Sequence, residues 1–220
     1  MRMSMARCDL MNDSVRTQRE ADLAAYYDTE VRDRSDRPLP PRRVAQRDAF
    51  LTQLKKEGLK SVLEVGSGPG RDGEAFVAAG LTYTGVDLAP ESVNACRSIG
   101  LDAHVGSVLH LPFDDAAFDA GWTMSTLLHV ANEDLSAALA EIVRVLRPQS
   151  PLAIGLWGDK TVSESPWNGD RAFGPPRFFS IRTDDVLREE LQQHATIEKW
   201  MTWPGDGSMH YQWALLRTPA

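Results

Sequence analysis

The stretch Glu64-Val65-Gly66-Ser67-Gly68-Pro69-Gly70 places a carboxylate at the end of an apolar run and three glycines directly after it. A second apolar run closes on Tyr83-Thr84-Gly85-Val86-Asp87, again with a terminal carboxylate. Glycines at such a bend let the backbone approach a ligand closely. An acid just past the second strand accepts hydrogen bonds from ribose hydroxyls. The pair therefore suits a nucleoside. The details count against a phosphate. Arg71 stands where the third glycine of a dinucleotide fingerprint belongs. Pro69 has no N–H to offer, no Gly-Lys-Ser/Thr follows, and Glu64 repels anions while favouring a cation.

A positively charged nucleoside without phosphate meets these constraints, and S-adenosylmethionine is such a molecule. The chain resembles the class I S-adenosylmethionine-dependent methyltransferases. Glu64 to Gly70 matches that family's first motif and Gly85-Val86-Asp87 its second. His104-Val105-Gly106-Ser107, Leu111-Pro112-Phe113, Phe118-Asp119-Ala120 and Glu141-Ile142-Val143-Arg144-Val145-Leu146-Arg147-Pro148 follow in the family's order. The likeness covers roughly residues 60 to 157 and departs at two places. Ser107 stands where an acid usually touches adenine, and Gln149-Ser150 where a Gly-Gly turn is usual.

The resemblance implies a set of cofactor-binding residues: Glu64, Gly66, Ser67, Gly68, Gly70, Asp87 with its neighbour Leu88, Ser107 with its neighbour Val108, and Met124 at the end of the fourth strand. Arg71 joins them, either on the methionine carboxylate or in solvent. At least one of Tyr26 and Tyr27 is expected to reach the cofactor from an N-terminal helix, against the plainer reading of amphipathic packing. Asp87 also reads as a helix N-cap before Pro90, and Asp72 as an acid complementing a helix dipole. For proton chemistry the candidates are His129, just after the fourth strand, and His210-Tyr211 near the C-terminus. Histidine is the usual base near neutral pH, yet each also reads as packing.

Alternating elements must position these groups. Strands are expected over Ser61–Val65, Tyr83–Asp87, Ala103–Gly106, Ala117–Thr123 and Pro151–Leu156. Helices are expected over Asp72–Ala79, Pro90–Ile99 and Asn132–Leu146, with Asn132 as N-cap. That alternation specifies an α/β doubly wound parallel sheet with its crevice at the carboxyl ends of the strands. The chain closes with a helix over Thr183–Gln193 and strands near Thr196–Thr202 and His210–Leu216. The resemblance makes the whole a Rossmann-like seven-stranded sheet, mostly parallel with a C-terminal antiparallel hairpin. Residues 58–220 would form this domain. Residues 1–57 would form an N-terminal helical segment or lid, with 1–14 disordered, a helix over Val15–Arg32, a proline-rich linker and a second helix over Arg42–Glu57. The 157–180 stretch lacks periodicity and is rich in Trp, Pro, Gly and Phe. It is expected to be an irregular acceptor-side lid or pocket for an apolar or aromatic small molecule.

The 220 residues suffice for a large core. The formal net charge of −7 argues against nucleic acid or an anionic membrane as main partner. Residues 1–57 hold twelve basic and ten acidic side chains, and the rest hold twelve and twenty-one. Cys8 and Cys96 have no metal spacing and read as free thiols. With no 20-residue apolar span and no signal-peptide core, a cytoplasmic, bacterial, monomeric or homodimeric protein without bound metal is expected. The overall expectation is methyl transfer to a small acceptor. The alternatives are a protein or RNA methyltransferase, or a non-catalytic S-adenosylmethionine-binding regulator.

Overall fold

The computed structural model describes residues 2–167 and 173–220, with side chains from Asp13 onward. Seven strands form one sheet: β1 (Ser61–Val65), β2 (Thr82–Asp87), β3 (Ala103–Val105), β4 (Gly121–Met124), β5 (Pro151–Gly158), β8 (Thr196–Pro204) and β9 (His210–Arg217). Their spatial order is β3-β2-β1-β4-β5-β9-β8. The first five run parallel, while β9 lies antiparallel to both β5 and β8. This is the doubly wound sheet that the alternation specifies, with the C-terminal antiparallel hairpin that the resemblance implies. Its order reverses between β1 and β4, the point where such sheets open a crevice.

Helices cover both faces, so the central strands are buried on both sides and read as nearly continuous apolar runs. Along β1, Val62 packs with Phe50, Phe76 and Trp122, whereas Leu63 and Val65 pack with Leu139, Ile142 and Ile154. The first cluster lies under α2 (Pro41–Glu57) and α3 (Gly73–Ala78), the second under α5 (Asn132–Val145) and α6 (Asp184–His194). α2 begins on Pro41 and stops at Gly58, whose φ of 72° closes the helix in the left-handed region.

Three expectations are corrected. The segment expected to be disordered belongs to α1, one helix over Arg2–Asp36. The 157–180 stretch is not irregular throughout, because β6 (Ser163–Trp167) and β7 (Arg177–Ile181) pair as an antiparallel ribbon; its residues 168–172 lie outside the described residues. Asn132 does not cap α5. Its Oδ1 accepts instead from Ser180 Oγ at 3.1 Å and Arg182 Nε at 2.8 Å. Thr183 does cap α6, accepting from the Val186 N–H at 3.3 Å. Cys96 is a buried free thiol. Among the described residues no helix is long and apolar enough to cross a membrane.

Candidate active site

A cleft of about 610 Å³, counting its open mouth, lies over the carboxyl ends of β1, β2 and β4. Its floor is the bend after β1. Gly66 turns there with φ of 75°, and a Cβ on it would lie 1.9 Å from Thr126 Oγ1. Thr126 Oγ1 in turn donates to the Val65 carbonyl at 3.1 Å, which ties the ends of β1 and β4 together. At Gly68, φ is 53° and a Cβ would meet nothing within 4 Å, so this glycine borders open space.

Asp87 closes one wall at the end of β2. Its Oδ2 accepts from the Gly68 N–H at 2.8 Å and its Oδ1 from the Ala89 N–H at 2.9 Å. A carboxylate has about four lone-pair sites, so these two bonds leave about half of its accepting capacity unused. Burial raises its pKa above the ordinary value, and these two N–H donors and Arg34 offset that only in part. Leu88 and Val108 line the same wall, with Met124 and Ser125 opposite. Ser125 holds φ of 58° without being glycine, the kind of strained backbone that collects at ligand sites.

α1 lays Leu23, Tyr27 and Arg34 over the opening, at helical spacing on one face. Arg34 donates to Glu30 at 3.2 Å. Burial opposes its charge, but Tyr27, Glu30 and Asp87 outweigh burial and raise its pKa. Tyr27 and His129 meet at 2.7 Å, and His129 Nδ1 lies 2.8 Å from the Phe178 carbonyl. A carbonyl only accepts, so Nδ1 carries the proton and Nε2 accepts from the Tyr27 hydroxyl. Burial pushes His129 down to about 3. The turn carrying it, Leu127–His129, is held by the fully buried Arg182, which donates to the Leu127 and Val130 carbonyls at 3.1 and 2.6 Å.

The other sequence candidates stand outside the lining. Glu64 lies directly behind the bend, fully buried, accepting from the Tyr83 hydroxyl at 2.7 Å. Its Oε1 is buried with no hydrogen-bond partner. Ser67 is buried in contact with Cys96. Gly70 is packed against Leu101, which a Cβ would approach to 2.5 Å. Arg71, half-buried, donates to the Arg37 carbonyl and does not line the cleft. Ser107 bonds the Glu20 carboxylate on α1. Tyr26 is buried against Phe173 and the Arg177 guanidinium, so of the tyrosine pair only Tyr27 reaches the cleft. His210 is tied to Asp184 at 2.7 Å, at the start of α6. Tyr211 stacks on Trp203 and reaches Ser125 Oγ at 3.1 Å, one layer behind the cleft wall. Nor does Asp72 act through a helix dipole alone. It accepts from Arg43 Nε at 2.7 Å and from Trp122 Nε1 at 3.0 Å, with Arg47 at 3.4 Å. Sequence reasoning missed Arg34, Ser125, Thr126 and Arg182. Arg34, seven residues beyond Tyr27, shares its helix face.

With this geometry in hand, likeness to known proteins is specific. Residues 63–154 match the family described as a methyltransferase domain. Over that stretch the chain is similar to methyltransferase domains. Among solved structures, the domain and its flanks align with a 1,6-didemethyltoxoflavin N1-methyltransferase of Burkholderia thailandensis at TM-score 0.61 and 22% identity. That alignment covers 84% of this chain and 93% of the other. A Methanosarcina mazei protein described as an S-adenosylmethionine-dependent methyltransferase aligns at TM-score 0.64 and 16% identity, over 72% and 92% of the two chains. At these identities the likeness is one of fold. Among curated relatives, the O-methyltransferase cnsE of Penicillium expansum is 32% identical over 142 residues, 58% of this chain and 50% of that protein. The fatty-acid O-methyltransferase of Mycolicibacterium smegmatis is 39% identical over 107 residues, 44% of this chain and 36% of its own. The chain thus spans half or less of the length of these two relatives.

Proposed function

We propose that this chain transfers a methyl group from S-adenosylmethionine to a small apolar or aromatic acceptor. One observation carries the reading: the glycine bend and the Asp87 carboxylate meet across one cleft, joined by the Gly68 N–H at 2.8 Å. The residues also fit the cofactor. Gly68 borders open space, Asp87 keeps free lone pairs for the ribose diol, and Glu64 Oε1 is buried with no hydrogen bond, Arg43 lying 3.8 Å away. Leu88 and Val108 would enclose the base, and Glu20, bonded to Ser107, supplies the acid that the third motif lacks. Arg34 would take the methionine carboxylate and Glu64 would favour the nearby cation.

When bound, the cofactor supplies a methyl group already activated on a positively charged sulfur. The protein's task is then placement. Met124, Ser125 and Thr126 form the wall against which an acceptor is oriented, and Tyr27 with His129 closes its far side. Fixing two reactants in line is worth roughly 7–11 kcal/mol of the barrier. α1 and the β6–β7 ribbon act as the lid that excludes water. The aromatic side chains Tyr26, Trp167, Phe173 and Phe179 gather beside Tyr27 and His129 and give the acceptor side its apolar character.

A relative named as a tRNA methyltransferase, from Xenopus tropicalis, is 35% identical over 109 residues but only 17% of its length is matched. The net charge of −7 gives RNA little attraction, which favours the small-molecule reading. Calorimetry with S-adenosylmethionine tests the assignment. Each hydrogen bond to a charged group contributes about 1.5–3 kcal/mol, so Asp87→Ala weakens binding about 10- to 100-fold. Wild-type affinity in that variant would sink the reading. A methylated product found by mass spectrometry separates turnover from mere binding.

A further inference from the structure

Among the described residues Arg177, on β7, is a cation without a counter-ion. Its guanidinium lies 4.2 Å from the centroid of Tyr26, 5.1 Å from Phe179 and 5.3 Å from Trp167. One nitrogen donates to the Tyr27 hydroxyl at 3.3 Å. Its Nε is buried and has no hydrogen-bond partner. Among the described residues no carboxylate comes within ion-pair distance of it, whereas Arg34, Arg43, Arg144 and Arg217 each face one. Ring faces attract a cation, but they cannot satisfy a buried N–H. Leaving that buried N–H unbonded is costly, and an anion that arrives with the substrate would recover the cost. Tyr27, which shares its hydroxyl with Arg177, lines the cleft.

We propose that the acceptor is the carboxylate of an apolar or aromatic carboxylic acid, held by the Arg177 guanidinium beside Tyr27, and that the product is its methyl ester. This rests on the methyl-transfer reading above. A lone pair of one carboxylate oxygen forms the new O–CH3 bond while the S–CH3 bond breaks. The electron pair of that bond goes to sulfur, which leaves as a neutral thioether. No proton moves. The site is suited to such a reaction because its one cleft-lining histidine is committed at both nitrogens, to the Phe178 carbonyl and the Tyr27 hydroxyl. Burial further holds that imidazole neutral. An alcohol needs a base to lose its proton, whereas a carboxylic acid is already ionised at neutral pH.

The test uses the full chain with S-adenosylmethionine and four probes: octanoate, 3-phenylpropionate, octan-1-ol and 3-phenylpropylamine. Methyl esters of the two acids are expected by mass spectrometry, with neither the alcohol nor the amine methylated. Arg177→Gln is expected to raise KM for the acids at least about tenfold, with cofactor affinity by calorimetry unchanged. Arg177→Lys is expected to recover part of the loss. A merely structural arginine would shift cofactor affinity and melting temperature instead. Should Arg177→Gln fail to fold, calorimetry of each acid on the wild-type protein loaded with S-adenosylhomocysteine decides: saturable binding supports the proposal. Unchanged KM in Arg177→Gln, methylation confined to the alcohol or amine, or cofactor binding with no acid binding would each overturn it. A wild-type protein that binds no S-adenosylmethionine would overturn the methyl-transfer reading as well.

Discussion

At the scale of single residues, Glu64 is the most informative. It sits behind the glycine bend with no exposed surface. Burial, and then the neighbouring Asp72, push its carboxyl from an ordinary 4.5 up to about 8, against the pull of Arg43 and Tyr83. Folding therefore takes up a proton between these values, and stability falls as pH rises across that window. A cation bound next to it favours the carboxylate, so cofactor binding releases a proton and tightens toward pH 8. Glu64→Gln should flatten the fall in melting temperature between pH 6 and pH 8.5. An unaltered slope in that variant would mean the carboxyl is already ionised. Glu64 was legible in the sequence as a strand-end acid near a cation. Its complete burial was not, because that depends on α2 folding over the same face.

At the scale of elements, α2 is locked to the bend by charge rather than by apolar contact alone. Asp72 is fully buried and accepts from Arg43, Arg47 and Trp122, residues far apart in the chain. Removing one partner of a buried pair leaves an uncompensated charge, a loss of about 3–5 kcal/mol. Asp72→Ala should therefore lower the denaturant midpoint strongly, with Asp72→Asn retaining the Trp122 contact and losing less. Equal midpoints for both variants would show that the charge is immaterial. The sequence offered Asp72 only as an acid in the first turn of a helix. Its partners lie 25, 29 and 50 positions away, and nothing in local spacing selects them. Gln149, where a glycine is usual, shows a different tolerance. It adopts φ of 60°, and its side chain donates to the Thr218 carbonyl at 3.1 Å, which helps hold the strained turn.

At the scale of the whole molecule, two layers of chain converge on the cleft. The sheet supplies a rigid floor, while α1 and the β6–β7 ribbon supply the cover through Tyr26, Tyr27 and Arg177. The cover rests on side-chain contacts with few sheet-type hydrogen bonds to the floor, so it belongs to the less stable part of the fold. Adding S-adenosylhomocysteine should slow amide hydrogen exchange in residues 15–36 and 177–181, with β1, β4 and β5 unchanged. Exchange slowed equally everywhere would indicate global stabilisation and no distinct cover.

The sequence by itself determined the sheet, its crevice and the glycine–Asp87 pair, because strand alternation and turn chemistry are local and repeat at fixed periods. It also marked 157–180 as rich in aromatic side chains, though not their pairing as a ribbon. Only the tertiary structure decided that Tyr27 rather than Tyr26 reaches the cleft, and that His210 belongs to α6. It also gave His129 the Phe178 carbonyl and Tyr27 as partners, and left Arg177 among rings with no acid among the described residues. Those outcomes depend on which distant groups share one small volume, and long-range packing sets that.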